Sequence, residues 1–236
     1  MFRPKLHTAL VLFTRTSAEE VAIKPLLHWE GYGMQIKVFE EFIAEKKRAF
    51  AKTHLPYFVI ATPEQKGNSF GERLYQAFAS IFAQGYNRVI VVGNDCPELK
   101  APDLLKSEQL LQNNEVVLGP DTSGGIYLLG LTKEAFSKIK SFDQVRWQTS
   151  QVYKDCKAFL AQLNLSQATL SVYHNINTKQ ELKVAFNRKF FSSQLHRVLS
   201  CLLAVLIKPV RVPFFYNPQL IHTVFFFRGP PVQYHF

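Results

Sequence analysis

The sequence predicts an α/β fold: a single domain with a mainly parallel central sheet flanked by helices, followed by a basic, aromatic C-terminal tail. Three observations carry this reading. Continuous apolar runs bounded by turn residues, above all at 88–93 and 115–118, read as strands covered on both faces. Strand-like and helix-like segments alternate to about position 187 with no linker-like composition between them. Finally, 236 residues with 47% hydrophobic and 19% charged content suit one ordinary core and exclude wholesale disorder. No internal repeat is present.

The elements follow in order. Residues 8–14 (TALVLFT) form the first strand, ending at Arg15, and Ser17 is placed to cap a helical stretch. Residues 35–52 carry an apolar stripe of Ile36, Phe39, Phe42, Ile43 and Phe50, which predicts a helix. Residues 57–61 are a second strand. Ser69-Phe-Gly-Glu72 matches a capping box and opens a helix whose apolar face includes Leu74, Phe78, Ile81 and Phe82. Residues 88–93 form the third strand, and Pro102 in a first turn starts a helix over 102–112. Strands at 115–118 and 126–131 flank a glycine loop. A helix over 150–163, a strand over 168–172 and a short helix over 178–186 complete a domain spanning 1–187.

The remainder, 188–236, has a different character. No acidic residue follows Glu181, whereas Lys183, Arg188, Lys189, Arg197, Lys208, Arg211 and Arg228 do, so much of the net charge of +10 lies there. Phe190, Phe191, Leu195, Val198, Leu199, Leu202, Leu203 and Leu206 recur at helical spacing; then Pro209, Pro213, Pro218, Pro230 and Pro231 interrupt regular structure. The apolar core at 198–207 is shorter than the roughly 20 residues a bilayer span needs. Two readings stand: a helix docked on the sheet with an irregular end, or a basic amphipathic helix in peripheral contact with an anionic membrane face. No nucleic-acid-binding module accompanies the charge, so nucleic acid is not an expected partner.

Cysteine usage bears on compartment. Cys96, Cys156 and Cys201 are odd in number, widely spaced and without a C-x-x-C, which argues against a disulfide framework or zinc site. No charged and then apolar leader pattern opens the chain. A cytoplasmic protein is expected.

The chemistry gathers at strand ends, where open α/β sheets bind ligands. Gly93-Asn94-Asp95 ends the third strand, and Asp95 is placed either to hold Mg²⁺ or Mn²⁺ against phosphates or to cap the turn before Pro97. The loop Gly119-Pro-Asp-Thr-Ser-Gly-Gly125 allows close backbone approach to a ligand, or is a plain hairpin turn. It is neither a Walker loop nor a dinucleotide fingerprint. Arg15 and Lys24, after the first strand, can contact a diphosphate or remain solvated. Trp147 belongs to the core or stacks on a base or sugar. Glu72 is best read as a cap, with Arg73 beside it, and His174 as structural. There is no Ser/His/Asp arrangement and no metal-spaced His/Cys cluster.

Six motifs in order resemble a bacterial family of uncharacterised glycosyltransferases with a GT-A-like nucleotide-diphospho-sugar transferase fold, of the arsenosugar-biosynthesis type. They are Phe13-Thr-Arg15; Gln65-Lys-Gly with Gly71-Glu-Arg-Leu74; Gly93-Asn-Asp-Cys-Pro97; Gly119-Pro with Gly124-Gly-Ile-Tyr-Leu128; Trp147-Gln-Thr149; and Asn175-Ile-Asn-Thr178. The resemblance spans roughly residues 10–186. It implies a nucleotide-diphospho-sugar donor, an acceptor it does not identify, and a divalent metal. Asp95 would be the catalytic metal-holding residue, with Asp121 and Asn177 as further ligands. Arg15, Lys24, Gly93, Asn94, Gly124, Gly125, Tyr127 and Trp147 would contact substrate. A nucleotidyltransferase acting on a sugar phosphate, or a nucleotide-binding relative without activity, shares the same fold logic. The chain departs from the family pattern at Pro25 and Leu26 (Thr-Arg), Ser123 (Asp), Ile126 (Tyr), and Asn175 and Asn177 (both Asp).

Overall fold

The computed structural model describes residues 6–24, 26 and 31–207. Its strands are β1 (Leu6–Phe13), β2 (Tyr57–Ile60), β3 (Tyr86–Val92), β4 (Val116–Pro120), β5 (Ile126–Thr132) and β6 (Gln167–Thr169). Its helices are α1 (Ser17–Ile23), α2 (Tyr32–Ala51), α3 (Phe70–Ala83), α4 (Ala101–Asn113), α5 (Lys133–Lys138), α6 (Val152–Gln162), α7 (Lys179–Asn187) and α8 (Ser193–Ile207).

The strands form one sheet in the order β2-β1-β3-β5-β4-β6. β1 runs parallel to β2 and β3, and β4 runs parallel to β6. β5 alone is antiparallel to its neighbours. The reversal has a simple cause: the loop 121–125 returns the chain directly, whereas a parallel neighbour needs a long crossover.

The apolar strands divide their side chains between two layers. Leu10, Leu12, Ile90 and Val92 face α2 and α4, packing with Phe50, Leu104 and Leu111. Ala9, Val11, Val89 and Val91 face the opposite layer and meet Leu74, Phe78, Ile81 and Phe82 of α3. Fully burying one such Phe or Leu stabilises the fold by about 1.5–3 kcal/mol. The Ser69–Glu72 capping box starts α3 as the sequence predicts. For α1 the cap is Thr16 rather than Ser17, because the Thr16 hydroxyl accepts from Glu19 N while the Glu19 carboxylate accepts from Thr16. The six-residue α5, capped by Thr132, was not foreseen; it is too short to show a helical period.

A third apolar cluster joins Phe39 and Phe42 of α2 to Ile176, Leu182, Phe191, Leu195 and Leu199. The docked-helix reading of the tail is thus realised against α2 rather than against the sheet. Ser192, just before α8, donates from its N–H and hydroxyl to Glu45, which also accepts from Lys100. The residues from 208 onward, with the proline-rich and aromatic end, lie outside the described residues, as does Pro25. No helix among the described residues is long and apolar enough to cross a membrane.

Candidate functional site

The carboxyl ends of β1, β3 and β4 open into one cleft of about 900 Å³. β1 delivers Thr14 and Arg15, β3 delivers Gly93, Asn94 and Asp95, and β4 delivers Asp121, Ser123 and Gly125. The edges are held in place from behind. Gln65 donates to the carbonyls of Thr14 and Ile60, at 2.8 and 3.2 Å, joining the ends of β1 and β2. Lys46 of α2, buried and with its pKa pushed down by that burial, donates to the carbonyls of Cys96 and Leu99 and fixes the turn after Asp95. The Ile176 N–H donates to the Asp95 carbonyl at 2.8 Å, which brings residues 175–177 to the same edge.

Asp95 does not cap the turn before Pro97. Its Oδ2 accepts from Lys24 Nζ at 2.7 Å, and both side chains are largely buried. Burial disfavours the Asp95 charge, but the Lys24 ammonium outweighs it and holds the carboxyl below its ordinary value. Burial likewise opposes the charge on Lys24, and Asp95 with Glu20 raises its pKa nonetheless. Glu20 is buried in the cleft wall, its pKa raised by burial, with Arg15 Nη1 3.8 Å from its Oε2.

The glycine loop is built around Asp121. Its Oδ1 accepts from the N–H groups of Ser123 and Gly125, at 2.7 and 2.9 Å, and its Oδ2 accepts from Asn175 Nδ2 at 2.7 Å. Gly124 has φ +84°, and a Cβ there would strike the Ser150 carbonyl; a Cβ at Gly125 would strike the Asp121 carboxylate. The glycines therefore serve loop packing, and of the two only Gly125 lines the cleft. Asp121, with both oxygens engaged, orients Asn175. Asn177 lines the cleft but is exposed, its N–H donating to Glu181 at the cap of α7.

Trp147 lines the cleft beside Phe70, ring centroids 5.0 Å apart, and its indole N–H is held by the Phe142 carbonyl. It can offer a ring face but not that donor. Tyr127 is among the residues that line the cleft, but its side chain is almost fully buried: its hydroxyl donates to the Ser171 carbonyl and its ring stacks on Tyr173. His174 sits outside the cleft, 2.7 Å from Glu98 and stacked on Phe190.

Burial reveals what spacing could not. Six buried side-chain polar atoms among the described residues lack a hydrogen-bond partner, and four belong to residues that line this cleft: Glu20 Oε2, Arg73 Nε, Asn94 Nδ2 and Asn175 Oδ1. Such an atom costs about 1–3 kcal/mol, and native proteins hold few of them. These two donors and two acceptors come from α1, α3, the end of β3 and the 175–177 segment, around one cleft; Glu20 Oε2 has only the distant Arg15 guanidinium, and side chains that turn toward a polar ligand would complete their bonding. Arg73 was visible only within the Gly71–Leu74 motif, and Glu20 gave no signal, because its burial depends on how α1 docks.

Whether these residues suit a divalent cation can be judged from the donors. No group of three or more His, Cys, Asp or Glu side chains among the described residues could hold a metal ion. Asp95 and the unpartnered Asn175 Oδ1 remain. Magnesium commonly takes one or two carboxylates and completes its shell with water and substrate phosphates. The donors thus fit a cation arriving with a diphosphate, not a closed protein cage.

Residues 37–149 match the sequence profile of a family described as an uncharacterized protein conserved in bacteria (DUF2064). A candidate nucleotide-diphospho-sugar transferase from Desulfovibrio desulfuricans G20 superposes with a TM-score of 0.70 at 21% identity, covering 84% of this chain and 97% of that one. That similarity shows a shared fold. A protein from Mycobacterium sp. strain JC1 gives 0.45 at 8% identity, covering 84% of this chain and 98% of that one. The 4-diphosphocytidyl-2C-methyl-D-erythritol synthase of Anaerococcus prevotii DSM 20548 gives 0.45 at 9%, covering 77% and 96%. Both are too distant in shape to add to the comparison. No curated protein matches the sequence. The profile match spans residues 37–149, just under half of the chain, and the superposition shows that the fold is shared with the Desulfovibrio protein.

Proposed function

We propose that this chain binds a nucleotide-diphospho-sugar in the strand-end cleft and transfers the sugar to an acceptor. The observation that carries the reading is the set of four buried polar atoms without a hydrogen bond, on residues as distant in sequence as Glu20 and Asn175 that line one cleft. Arg15 and Lys24 neutralise the diphosphate, and Arg73 offers a guanidinium donor with no partner of its own. Phe70, Ile126 and Trp147 give one wall an apolar character suited to the flat face of a base or sugar. Asp95 and Asn175 Oδ1 would hold a divalent cation, which when bound would stabilise the charge of the departing diphosphate. Asp121 positions Asn175 for that task. The buried free thiols Cys96 and Cys156 suit a reducing compartment, the cytoplasm.

A nucleotidyltransferase would use the same cleft, and the two reactions differ in what leaves. Sugar transfer releases a nucleoside diphosphate, whereas nucleotidyl transfer from a nucleoside triphosphate to a sugar phosphate releases pyrophosphate. Incubating the protein with nucleotide-sugars, or with nucleoside triphosphates plus sugar phosphates, and assaying both products decides between them. Enzyme-dependent diphosphate release supports the proposal, and pyrophosphate release would replace it. Binding without either product would favour a relative that kept the pocket alone, a reading to which the neutral Asn175 and Asn177 lend support.

A further inference from the structure

Resting on the nucleotide reading of this cleft, we propose that Lys24 is an internal stand-in for the cation. It holds Asp95 while the cleft is free of nucleotide, so a divalent cation binds only together with the diphosphate, to which Lys24 then turns.

The geometry supports this step by step. Lys24 Nζ sits 2.7 Å from Asp95 Oδ2, within the direct contact that an incoming cation would need. Both side chains are mostly covered, at 16% and 18% exposure, so solvent screens the pair only weakly. A divalent ion at Asp95 would therefore face an ammonium at close range, and like charges disfavour that state. The other acidic side chain beside Lys24, Glu20, is buried, and its Oε2 makes no hydrogen bond but has Arg15 Nη1 3.8 Å away. Lys24 closes α1, its backbone N–H anchored to the Glu20 carbonyl at 2.7 Å, while its four-carbon stem supplies the rotatable bonds by which the ammonium can change partner. Both oxygens of Asp121 are already engaged, Oδ1 by the Ser123 and Gly125 N–H groups and Oδ2 by Asn175, so Asp95 is the more available carboxylate. Once a diphosphate enters, Lys24 has a second anion to satisfy, and Asp95 with Asn175 Oδ1 becomes open to the metal. Nucleotide and cation then strengthen each other's binding.

The test is a titration of Mn²⁺ alone, followed calorimetrically and by the loss of the free-ion electron paramagnetic resonance signal. The full-length wild type is compared with Lys24→Met and Lys24→Gln, each checked for its unfolding midpoint. The expected result is that either variant binds Mn²⁺ about tenfold or more tightly than the wild type, within the range of ordinary coupling between sites. Adding Asp95→Asn to Lys24→Met should abolish the gain. Equal Mn²⁺ affinity in wild type and both variants, or no binding by any of them, would overturn the proposal. A failure of the nucleotide reading itself would show elsewhere, as absence of any nucleotide-sugar binding to the wild type while the metal titrations remain readable.

Discussion

At the scale of single residues, the Lys24–Asp95 pair gives the site a definite pH signature. The folded Asp95 pKa lies below its ordinary 3.8, so its contribution is complete above that value and disappears as pH falls through the folded one. Lys24 is raised above 10.5, so its contribution is complete below that pH and is lost only as pH rises through the folded value. Glu20, raised above 4.5 by burial, contributes in the opposite sense to Asp95: its share is present below 4.5 and is lost as pH rises through its folded value. Asp95→Asn leaves the largely buried ammonium beside a neutral partner and should cost about 1–3 kcal/mol at neutral pH. Urea unfolding of wild type and variant from pH 3 to 8 checks this. The difference should be flat above about pH 5 and shrink in acid; a difference independent of pH would mean that the pair is not formed.

At the scale of elements, most boundaries were legible because the governing signals are local. Ser69 and Glu72 announce α3 by themselves, and the β-branched apolar runs of β3 and β4 read as strands covered on both faces. What escaped depends on neighbours distant in sequence. The Gly124-Gly125 pair looks like a ligand-approach loop until Ser150 and Asp121 are found where its Cβ atoms would go. The pattern from Phe190 to Leu206 specifies an amphipathic helix but not its partner, and α2 supplies that partner through Phe39 and Phe42. Phe191 stacks on Phe42 with centroids 5.7 Å apart, while Leu195 and Leu199 are almost fully buried. A chain ending at Asn187 would lose these contacts and the Ser192–Glu45 bonds. Its unfolding free energy should fall by about 3–6 kcal/mol, allowing for burial already present in the unfolded chain. Chemical denaturation compares the two lengths directly, and an unchanged midpoint and slope would show that α8 contributes nothing to the fold.

At the scale of the whole molecule, sequence order and spatial convergence give different amounts of the site. Arg15 and Asp95 were readable because each follows a strand, and all parallel strands end on one edge. Lys24 was readable as a cation, but not as the partner of Asp95, which lies 71 residues away. Arg73 and Asn175 were visible only as members of motifs, and Glu20 not at all; burial that leaves one polar atom of each without a hydrogen bond is what singles them out. The central claim is that this cleft is a nucleotide-diphospho-sugar site completed by its ligand. It is tested most directly by thermal unfolding of the wild type with UDP-, GDP-, CDP- and dTDP-sugars, each with and without Mn²⁺. One base series at 100 times its Kd should stabilise the fold by about 2.7 kcal/mol, most strongly with the metal, and that gain should be lost in Arg15→Met and Arg73→Met. If no nucleotide-sugar raises the unfolding temperature, or if the rise survives both substitutions, the cleft is not the site.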